Sequence, residues 1–426
     1  MERNSEVYKT YVGIMKRELV CAMGCTEPIA IAYCAAIARA ALGCMPDRVV
    51  VKASGNVIKN AKSVIVPNTG GKRGIEAAAA IGITAGNEEL KLQVISKVGE
   101  EDAVRFVNFL RTVPIEVEMD ETPFILDITV EVFEGSQSAS ARIINEHANV
   151  VYVKRNHVLI SGREPSIDMV SEDSTFDYSL LNVSDIFDFA VTCDISDVKE
   201  ILDRQIEMNM AISDEGIRGD YGACIGKTYL KVYGNDVRTR AKAYAAAGSD
   251  ARMNGCELPV VINSGSGNQG ITVSVPVIEY AKELKTNQET LYRALIISNL
   301  ISLHEKSGVG KLSAYCGAIS AGAGAGAGIT YLMGGDCDSV AETVINTLAI
   351  TSGIVCDGAK SSCAAKIATA IEAGMIGGDM SRNGHRFQGG DGLVKESVED
   401  SIDNFSRLAR VGMRDTDKEI IRMMTE

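Results

Sequence analysis

The 426-residue sequence has no tryptophan, and aromatic residues make up only 5% of it. Hydrophobic residues nevertheless reach 46%, and there are 41 glycines. These values exclude global disorder and indicate a packed core in which small side chains do much of the packing. Because a single hydrophobic core stops growing at roughly 250–300 residues, we expect two domains.

A long basic segment is also absent, and the formal net charge is −13. Nucleic acids and anionic membranes attract basic surfaces, so we expect neither as a partner. The sequence contains no run of about 18 uninterrupted apolar residues, and its charged N-terminal stretch has no apolar signal-peptide segment. These features favour a cytoplasmic location, where thiols stay reduced.

Common metal and redox motifs are missing as well. The four histidines form no H-x-x-x-H pair, and the eleven cysteines form no C-x-x-C pair. A zinc hydrolase, a zinc ribbon and a thioredoxin-type redox site therefore lack support. Because the cysteines are odd in number and scattered over the chain, a secreted disulfide framework is not expected either. Most of them should be small buried apolar residues.

The hydrophobic pattern changes twice along the chain. Residues 5–43 predict two helices broken at "GCTEP", whereas residues 124–160 alternate apolar with polar side chains, as short antiparallel strands do. Helical patterns return from about residue 180 and include "AGAGAGAGITYLMGG", whose small residues favour a buried helix. The pattern therefore predicts an α+β fold in which a mainly helical catalytic body is interrupted by a smaller domain with antiparallel strands.

The same pattern predicts the domain boundaries. We assign residues 1–45 and 166–426 to a discontinuous helical catalytic domain and residues 46–165 to an inserted α+β domain. The first two helices should pack on the C-terminal helical body, because a lone helical hairpin cannot bury its apolar faces.

Three cysteines lie in Gly-containing stretches of the C-terminal half. Cys316 occurs in "SAYCGA", and Cys356 and Cys363 lie seven residues apart in "GIVCDGAKSSC". That spacing suits a loop cysteine followed by a cysteine at the start of a helix, with Ser361 or Ser362 as the N-cap. A thiolate is favoured near a helix N-terminus. From spacing alone, both buried structural cysteines and ligands of a metal or cluster stay open.

"GCTEP" also permits two interpretations. Cys25 lies at the break between two helices, where a thiol of lowered pKa can act as a base or nucleophile. In the alternative, Thr26 is simply an N-cap and Glu27 faces the helix dipole.

The remaining candidate motifs are two loops and two single residues. "NSGSGNQG" (263–270) and "PNTGG" (67–71) can present backbone N–H groups to a carboxylate or phosphate, or can be ordinary loops. Lys360 suggests a pyridoxal-phosphate Schiff base only weakly. His304 is either a catalytic residue or a histidine at a helix end.

Taken together, the motifs "GCTEP", "PNTGG", "NSGSGNQGI", "SAYCGA" and "GIVCDGAKSSCAAKIATA" occur in order through nearly the whole chain. In this combination the sequence resembles the serine dehydratase α-chain superfamily, and most closely its L-cysteine desulfidase and UPF0597 group. The resemblance implies an oxygen-sensitive [4Fe–4S] enzyme that acts without pyridoxal phosphate. By motif position, Cys316, Cys356 and Cys363 match the three cluster ligands. Three thiolates leave one iron with an open position, which can act as a Lewis acid.

One difference from the serine dehydratases indicates to which branch of the superfamily the sequence is more similar. Some serine dehydratases carry a cysteine in the C-terminal tail that can cap the cluster, whereas the tail "DTDKEIIRMMTE" has none. This difference and the presence of "GCTEP" favour the desulfidase branch.

The resemblance implies α,β-elimination from L-cysteine to give pyruvate, ammonia and sulfide, with Cys25 as the base that removes the α-proton. It also implies a homo-oligomer. The substrate carboxylate is expected at six residues of the two loops: Asn68, Thr69, Ser264, Ser266, Asn268 and Gln269. The alternatives are an L-serine dehydratase-like deaminase and a cluster-free protein that binds a small carboxylate.

Overall fold

The computed structural model describes residues 1–166, 176–310 and 312–425. Within these ranges the α-helices are α1 (Glu6–Glu18), α2 (Thr26–Leu42), α3 (Gly55–Ala61), α4 (Gly74–Ala85), α5 (Glu100–Thr112), α6 (Val183–Thr192), α7 (Lys199–Arg218), α8 (Ile225–Tyr233), α9 (Val237–Met253), α10 (Gly267–Leu284), α11 (Gln288–Val309), α12 (Gly317–Leu332), α13 (Cys337–Thr351), α14 (Cys363–Arg382), α15 (Val398–Arg407) and α16 (Arg414–Thr425). None of these helices has the length and apolarity needed to cross a bilayer.

The strands form two sheets. They are β1 (Cys21–Met23), β2 (Arg48–Ala53), β3 (Ile115–Met119), β4 (Asp127–Glu134), β5 (Gln137–Ile144), β6 (Val150–Arg155), β7 (Val158–Gly162) and β8 (Pro259–Val261). The larger sheet has the order β3-β2-β4-β5-β6-β7, with β2 parallel to β3 and the other neighbours antiparallel. β1 pairs with β8 in a small antiparallel sheet. The α+β fold with antiparallel strands is therefore confirmed.

The sheet needs a helix to cover its apolar face, and α2 provides it. Alternate residues of β4, namely Ile128, Val130 and Val132, are fully buried, as a strand with one face in the core requires. α2 is rich in alanine and buried almost all round, and it packs between α4 and strands β4–β6. A Cβ on Gly82 of α4 would lie 2.2 Å from the Ala32 carbonyl oxygen, so glycine is required for this close helix contact.

The packing of α2 corrects one expectation. We expected the first two helices to pack on the C-terminal helical body. α1 does contact α11, but the main contacts of α2 are with α4 and the sheet. The expectation is wrong for α2 because a helix without a polar face fits best between two apolar layers. The division at residues 46 and 165 stays a prediction.

α12 lies at the centre of the C-terminal helical body, where it contacts α10, α11, α13 and α14. Its "AGAGAGAG" stretch is buried, as expected. A Cβ on Gly324 would lie 2.3 Å from the Ser298 carbonyl oxygen of α11, and one on Gly326 would lie 2.7 Å from Gly374 of α14. Small residues thus let α11, α12 and α14 meet closely, and the N-terminal ends of α12 and α14 contribute to the site described next.

Candidate active site

A cavity of about 100 Å³ lies at the N-terminal ends of four helices. We call it the cysteine cavity. Of the residues expected at a functional site, seven line it: Cys25, Ser266, Asn268, Gln269, Cys316, Cys356 and Cys363. They come from motifs spread over more than 300 residues of sequence, so the fold brings most of the candidate residues into one place.

Four helices begin at this cavity. Cys25 is the N-cap of α2, Ser266 of α10 and Cys316 of α12, and Cys363 is the first residue of α14. The first N–H groups of a helix have no intrahelical partner and carry a partial positive charge. Four such ends at one cavity make it a favourable place for anions, such as thiolates and carboxylates.

Cys316 and Cys356 are brought together by backbone pairing. The Cys316 N–H donates to the Ile354 carbonyl at 3.2 Å, and the Cys356 N–H donates to the Ala314 carbonyl at 2.6 Å. The two segments therefore form a short antiparallel bridge that places both side chains at the cavity. A hydrogen bond from the Cys316 thiol lowers the pKa of Cys356 below its usual value.

Cys363 completes the group of three. The seven-residue segment after Cys356 turns into α14, and the Cys363 N–H donates to the Lys360 carbonyl at 3.0 Å. A Cβ on Gly358, whose φ is +90°, would lie 2.2 Å from the Lys59 carbonyl oxygen, so the turn requires glycine. Neither Ser361 nor Ser362 caps α14 with its side chain. Ser362 is the N-cap without a side-chain bond, and Ser361 donates to Asn254.

The cavity is surrounded by cations. Among the described residues that line it, Arg252, Lys306 and Lys366 are basic and Glu27 is the only acid. Burial lowers the pKa of the Lys306 ammonium to about 8, although the sulfurs of nearby cysteines act in the opposite direction. The positive charge of Lys59 acts on Cys356 and lowers the pKa of that thiol. The surroundings thus favour bound negative charge.

Cys25 forms a buried pair with Glu27. Its Sγ donates to Oε2 of Glu27 at 3.1 Å, and both residues are nearly inaccessible to solvent. Burial and the adjacent carboxylate raise the pKa of the Cys25 thiol well above its ordinary value. The N-terminus of α2 therefore does not keep Cys25 as a thiolate in the resting site. The N-cap of α2 is Cys25, not Thr26 as one interpretation of the sequence had it. Thr26 instead donates to the same carboxylate oxygen at 3.1 Å.

Glu27 is held ionised by its other contacts. Asn60 donates to its Oε1 at 2.9 Å, and Nε2 of His147 lies 3.5 Å from the same oxygen. Burial alone would raise the pKa of the Glu27 carboxyl, but the contact with His147 and the hydrogen bond from Cys25 outweigh it and lower the pKa. A charged carboxylate therefore faces the Cys25 thiol.

Arg252 is a site residue that sequence reasoning missed. It lies near the end of α9, is 2% exposed and donates from Nη1 to Oδ1 of Asn268 at 3.1 Å. Its Nε and Nη2 have no hydrogen-bond partner among the described residues. A Cβ on Gly267 would lie 2.2 Å from Nε, so the glycine gives the guanidinium its space. A buried guanidinium with free donors is prepared for a carboxylate ligand.

The loop that carries Ser266, Asn268 and Gln269 is held by buried hydrogen bonds to α11. Nδ2 of Asn263 donates to Oδ1 of Asn299 at 3.1 Å, and Ser302 donates to Oδ1 of Asn263 at 3.1 Å. Ser266 then accepts from the Gln269 N–H as the cap of α10. Because these bonds are buried, they hold the loop in one conformation.

Three expected binding residues do not line the cavity. Nδ2 of Asn68 donates to the Ile95 carbonyl at 2.7 Å, and Oγ1 of Thr69 donates to the Val66 carbonyl at 2.6 Å, so both side chains hold their own loop. Ser264, which has a φ of +49°, is not part of the cavity wall either. We assign no substrate contact to these three residues.

The two weaker candidates lie outside the cavity wall as well. Lys360 pairs with Asp357 at 2.7 Å. Nε2 of His304 lies 2.6 Å from Oε2 of Glu399, which agrees with a structural histidine. The residues that the sequence offered as a Schiff-base lysine and a catalytic histidine are therefore engaged elsewhere.

The donor set fits an iron–sulfur cluster better than a single metal ion. Among residues 1–166, 176–310 and 312–425, no three His, Cys, Asp or Glu side chains are close enough together to hold one ion. A four-iron cube spreads its thiolate ligands over separate irons, which requires cysteines that share a cavity without converging on a point. Cys316, Cys356 and Cys363 share one cavity, and the cations and helix ends around it favour negatively charged groups.

The chain is similar to known proteins over nearly its whole length. A sequence model described as "Serine dehydratase alpha chain" matches residues 89–422. A UPF0597 protein of Desulfitobacterium hafniense (strain Y51) is 54% identical over 424 residues, covering 100% of this chain and 98% of the relative. A UPF0597 protein of Lachnoclostridium phytofermentans is 51% identical, covering 98% of this chain and 100% of the relative. A UPF0597 protein of Treponema denticola is 44% identical, covering 100% of this chain and 99% of the relative. The chain therefore belongs to the UPF0597 group of the serine dehydratase α-chain family.

Proposed function

We propose that the protein is an iron–sulfur-dependent lyase that converts L-cysteine into pyruvate, ammonia and sulfide by α,β-elimination. The observation that carries the proposal is the meeting of three cysteines, a buried guanidinium with free donors and a Cys–Glu pair in one cavity. These groups correspond to a cofactor site, a carboxylate site and a proton-transfer site. Membership of the serine dehydratase family supports a lyase in the same sense.

The cofactor in this proposal is a [4Fe–4S] cluster held by Cys316, Cys356 and Cys363. When bound by three thiolates, it supplies a Lewis-acidic iron with an open coordination position. Lys306 and Lys366 line the same cavity and offset the negative charge of the thiolates. No lysine Schiff base is required, and Lys360 has no place in the proposed chemistry.

Arg252 is the carboxylate-binding residue in this proposal. Its Nε and Nη2 are buried without partners, and its Nη1 is held by Asn268, so the planar group is oriented before substrate arrives. A guanidinium binds a carboxylate through two parallel hydrogen bonds. Ser266 and Gln269 line the same cavity at the N-terminus of α10, where a negative group is also stabilised.

Cys25 is the residue proposed to remove the α-proton. It lines the cavity, and its thiol already donates to Glu27. In the resting site the proton stays on Cys25, because the pKa of the thiol is raised and the pKa of Glu27 is lowered. In the proposed reaction the thiol proton moves to the Glu27 carboxylate only in the substrate complex, and the resulting thiolate accepts the α-proton of the substrate. The Cα–H bond then breaks as the Cβ–S bond breaks, the C=C bond forms, and hydrosulfide leaves. The enamine product tautomerises and hydrolyses in water to pyruvate and ammonia.

L-Serine is the second candidate substrate, favoured by the description of the family model that matches the chain. The groups that bind the amino acid carboxylate and remove the α-proton serve either substrate, since only the leaving group differs. A cluster-free protein that binds small carboxylates uses the Arg252 site but needs neither Cys25 nor the three-cysteine set.

The test is anaerobic reconstitution with iron and sulfide, followed by counting of iron and acid-labile sulfide and by parallel assays with L-cysteine and L-serine. We expect four irons per chain and release of sulfide and pyruvate from L-cysteine. Cys25→Ala should retain the cluster spectrum and lose turnover. A cluster without sulfide release but with pyruvate from L-serine would reassign the substrate. A colourless protein whose carboxylate binding is unaffected by Cys356→Ser would indicate the binding protein.

A further inference from the structure

A second cavity of about 400 Å³ lies near the first, between the end of α1, residues 89–93 and the loop at 146–148. We call it the second cavity. Lys16, Glu89 and Lys91 in its wall are exposed, so it reaches solvent. The function proposed above makes no use of it.

One histidine connects the two cavities. His147 lines the second cavity but not the cysteine cavity, whereas Glu27 lines the cysteine cavity but not the second. The imidazole is 5% exposed, and its Nε2 lies 3.5 Å from Oε1 of Glu27 and has no hydrogen-bond partner among the described residues. A Cβ on Gly265, whose φ is +74°, would lie 3.1 Å from Cε1 of the ring, so this loop glycine leaves room for the imidazole.

The polar contacts continue from the ring to the proposed base. Glu27 uses Oε1 toward His147 and Oε2 toward Cys25, whose Sγ donates at 3.1 Å. The carboxylate therefore touches the thiol on one side and the imidazole on the other. Cys25, Glu27 and His147 form a series of neighbouring titratable groups from the cysteine cavity to the second cavity, with a hydrogen bond between Cys25 and Glu27 and an ion-pair distance of 3.5 Å between Glu27 and His147.

We propose that Glu27 and His147 carry the proton released in each turnover from Cys25 to solvent in the second cavity. This inference rests on the proposed function and deepens it by assigning the route of the proton. The Cys25 thiol proton passes to Glu27 and on through His147 to water, and the thiolate then takes the α-proton and returns to the thiol. One proton leaves through the second cavity for each substrate, and the sulfur leaves as hydrosulfide, so charge and atoms balance.

His147 acts through Glu27 and is a positioning residue in this scheme. A purely structural role is the competing explanation, since a buried imidazole beside a carboxylate can simply hold α2 in place. The chain offers a matched control. His304 and Glu399 form another histidine–carboxylate contact, at 2.6 Å, that lines neither cavity.

The first experiment compares His147→Ala and His147→Gln with His304→Gln in the anaerobically reconstituted enzyme. We expect both His147 variants to lose about 10²-fold in kcat, the range of general acid–base groups, with KM changed less than about twofold. Added imidazole, which fits the second cavity, should raise the kcat of His147→Ala by at least about tenfold. It should not change the kcat of His304→Gln. An unchanged kcat, or a loss that imidazole does not restore in a folded variant, would overturn the relay.

The second experiment does not depend on turnover. Iodoacetamide alkylation of Cys25 in the full-length, cluster-free chain is followed by mass spectrometry, with exposed Cys44 in the same chain as internal control. Without the imidazole, the carboxylate charge beside the thiol is less compensated, so His147→Gln should slow alkylation of Cys25 by about fivefold to tenfold and leave Cys44 unchanged. Equal Cys25 rates in the wild type and the variant would contradict the connection. Absence of any turnover in the wild type would reject the proposed function and the relay with it, whereas the alkylation result would still show whether His147 acts on the Cys25 thiol through Glu27.

Discussion

The cysteines of the apolar core and those of the cysteine cavity have the same side chain but opposite surroundings. Cys34 is fully buried between α2 and the sheet, and its thiol donates to the Ala141 carbonyl at 3.2 Å. Burial raises the pKa of this thiol to about 12. Cys356 is half-buried, and Cys316, Lys59 and Lys306 lower its pKa. The pKa values of Cys316 and Cys363, which lie at helix N-termini, are raised like that of Cys34. The Cys316 hydrogen bond and the nearby cations, rather than a helix end, therefore distinguish Cys356.

The largest difference between the two regions is expected on replacing one cysteine from each. Cys356→Ser should lose the cluster and reduce lyase activity to the assay background, because it removes one of three thiolates. Cys34→Ala should keep full iron content and activity after purification. Iron analysis, the electronic spectrum and sulfide release are the measurements. If Cys356→Ser retains four irons per chain, the ligand assignment is wrong.

Arg252 gives the next largest effect, since two nitrogens of its buried guanidinium have no hydrogen-bond partner among the described residues. Arg252→Gln should lower kcat/KM about 10²-fold, mainly through KM, because loss of a buried charged partner costs roughly 2–5 kcal/mol. Steady-state kinetics over a wide range of amino acid concentration measure this change.

Arg238 provides the matched control for that substitution. Its guanidinium pairs with Glu372 and Asp379 outside the cysteine cavity. Arg238→Gln should leave KM unchanged. An equal rise of KM in both variants would show that the effect is a general loss of structure rather than a lost carboxylate contact.

Substitution of one glycine at the cysteine cavity and one in the apolar core compares the two regions without changing any charge. Gly267→Ala places a Cβ 2.2 Å from Nε of Arg252, so we expect the guanidinium to shift and KM to rise about tenfold. Gly82→Ala places a Cβ 2.2 Å from a backbone oxygen of α2, which should lower the free energy of unfolding by about 1–3 kcal/mol and leave KM unchanged. Urea unfolding and kinetics of both variants separate the effects. The same KM in Gly267→Ala as in the wild type would argue against Arg252 as the carboxylate site.

The sequence motifs predicted most of the cavity because each one places a reactive residue at the start of a helix. Cys25, Ser266, Cys316 and Cys363 precede or open helical patterns, and that relation is local in sequence. The α+β fold was also predictable, since a change from helical to alternating periodicity is a local signal.

The partners across the cavity had no such signal. Arg252 lies within a helical pattern that contains other basic residues, and nothing near it in sequence marks it as buried. His147 follows a strand in a polar loop. Both become site residues only because the tertiary fold places them beside Asn268 and Glu27. The packing of α2 on the sheet was missed for the same reason, because an alanine-rich helix carries no polar face to indicate its orientation.

The smallest effect expected is on stability, and it depends on pH. Cys34→Ala should lower the free energy of unfolding by about 1 kcal/mol at pH 7.5, where the thiol is protonated in both states and only apolar contact is lost. The raised pKa of about 12 in the folded chain means that above about pH 8.5 the unfolded chain loses this proton first. The wild type should therefore lose stability relative to the variant as pH rises, by up to about 1.4 kcal/mol per unit from this thiol. By pH 10 the variant should equal or exceed the wild type in urea unfolding, and a constant difference between them from pH 7.5 to 10 would contradict a buried, proton-retaining Cys34.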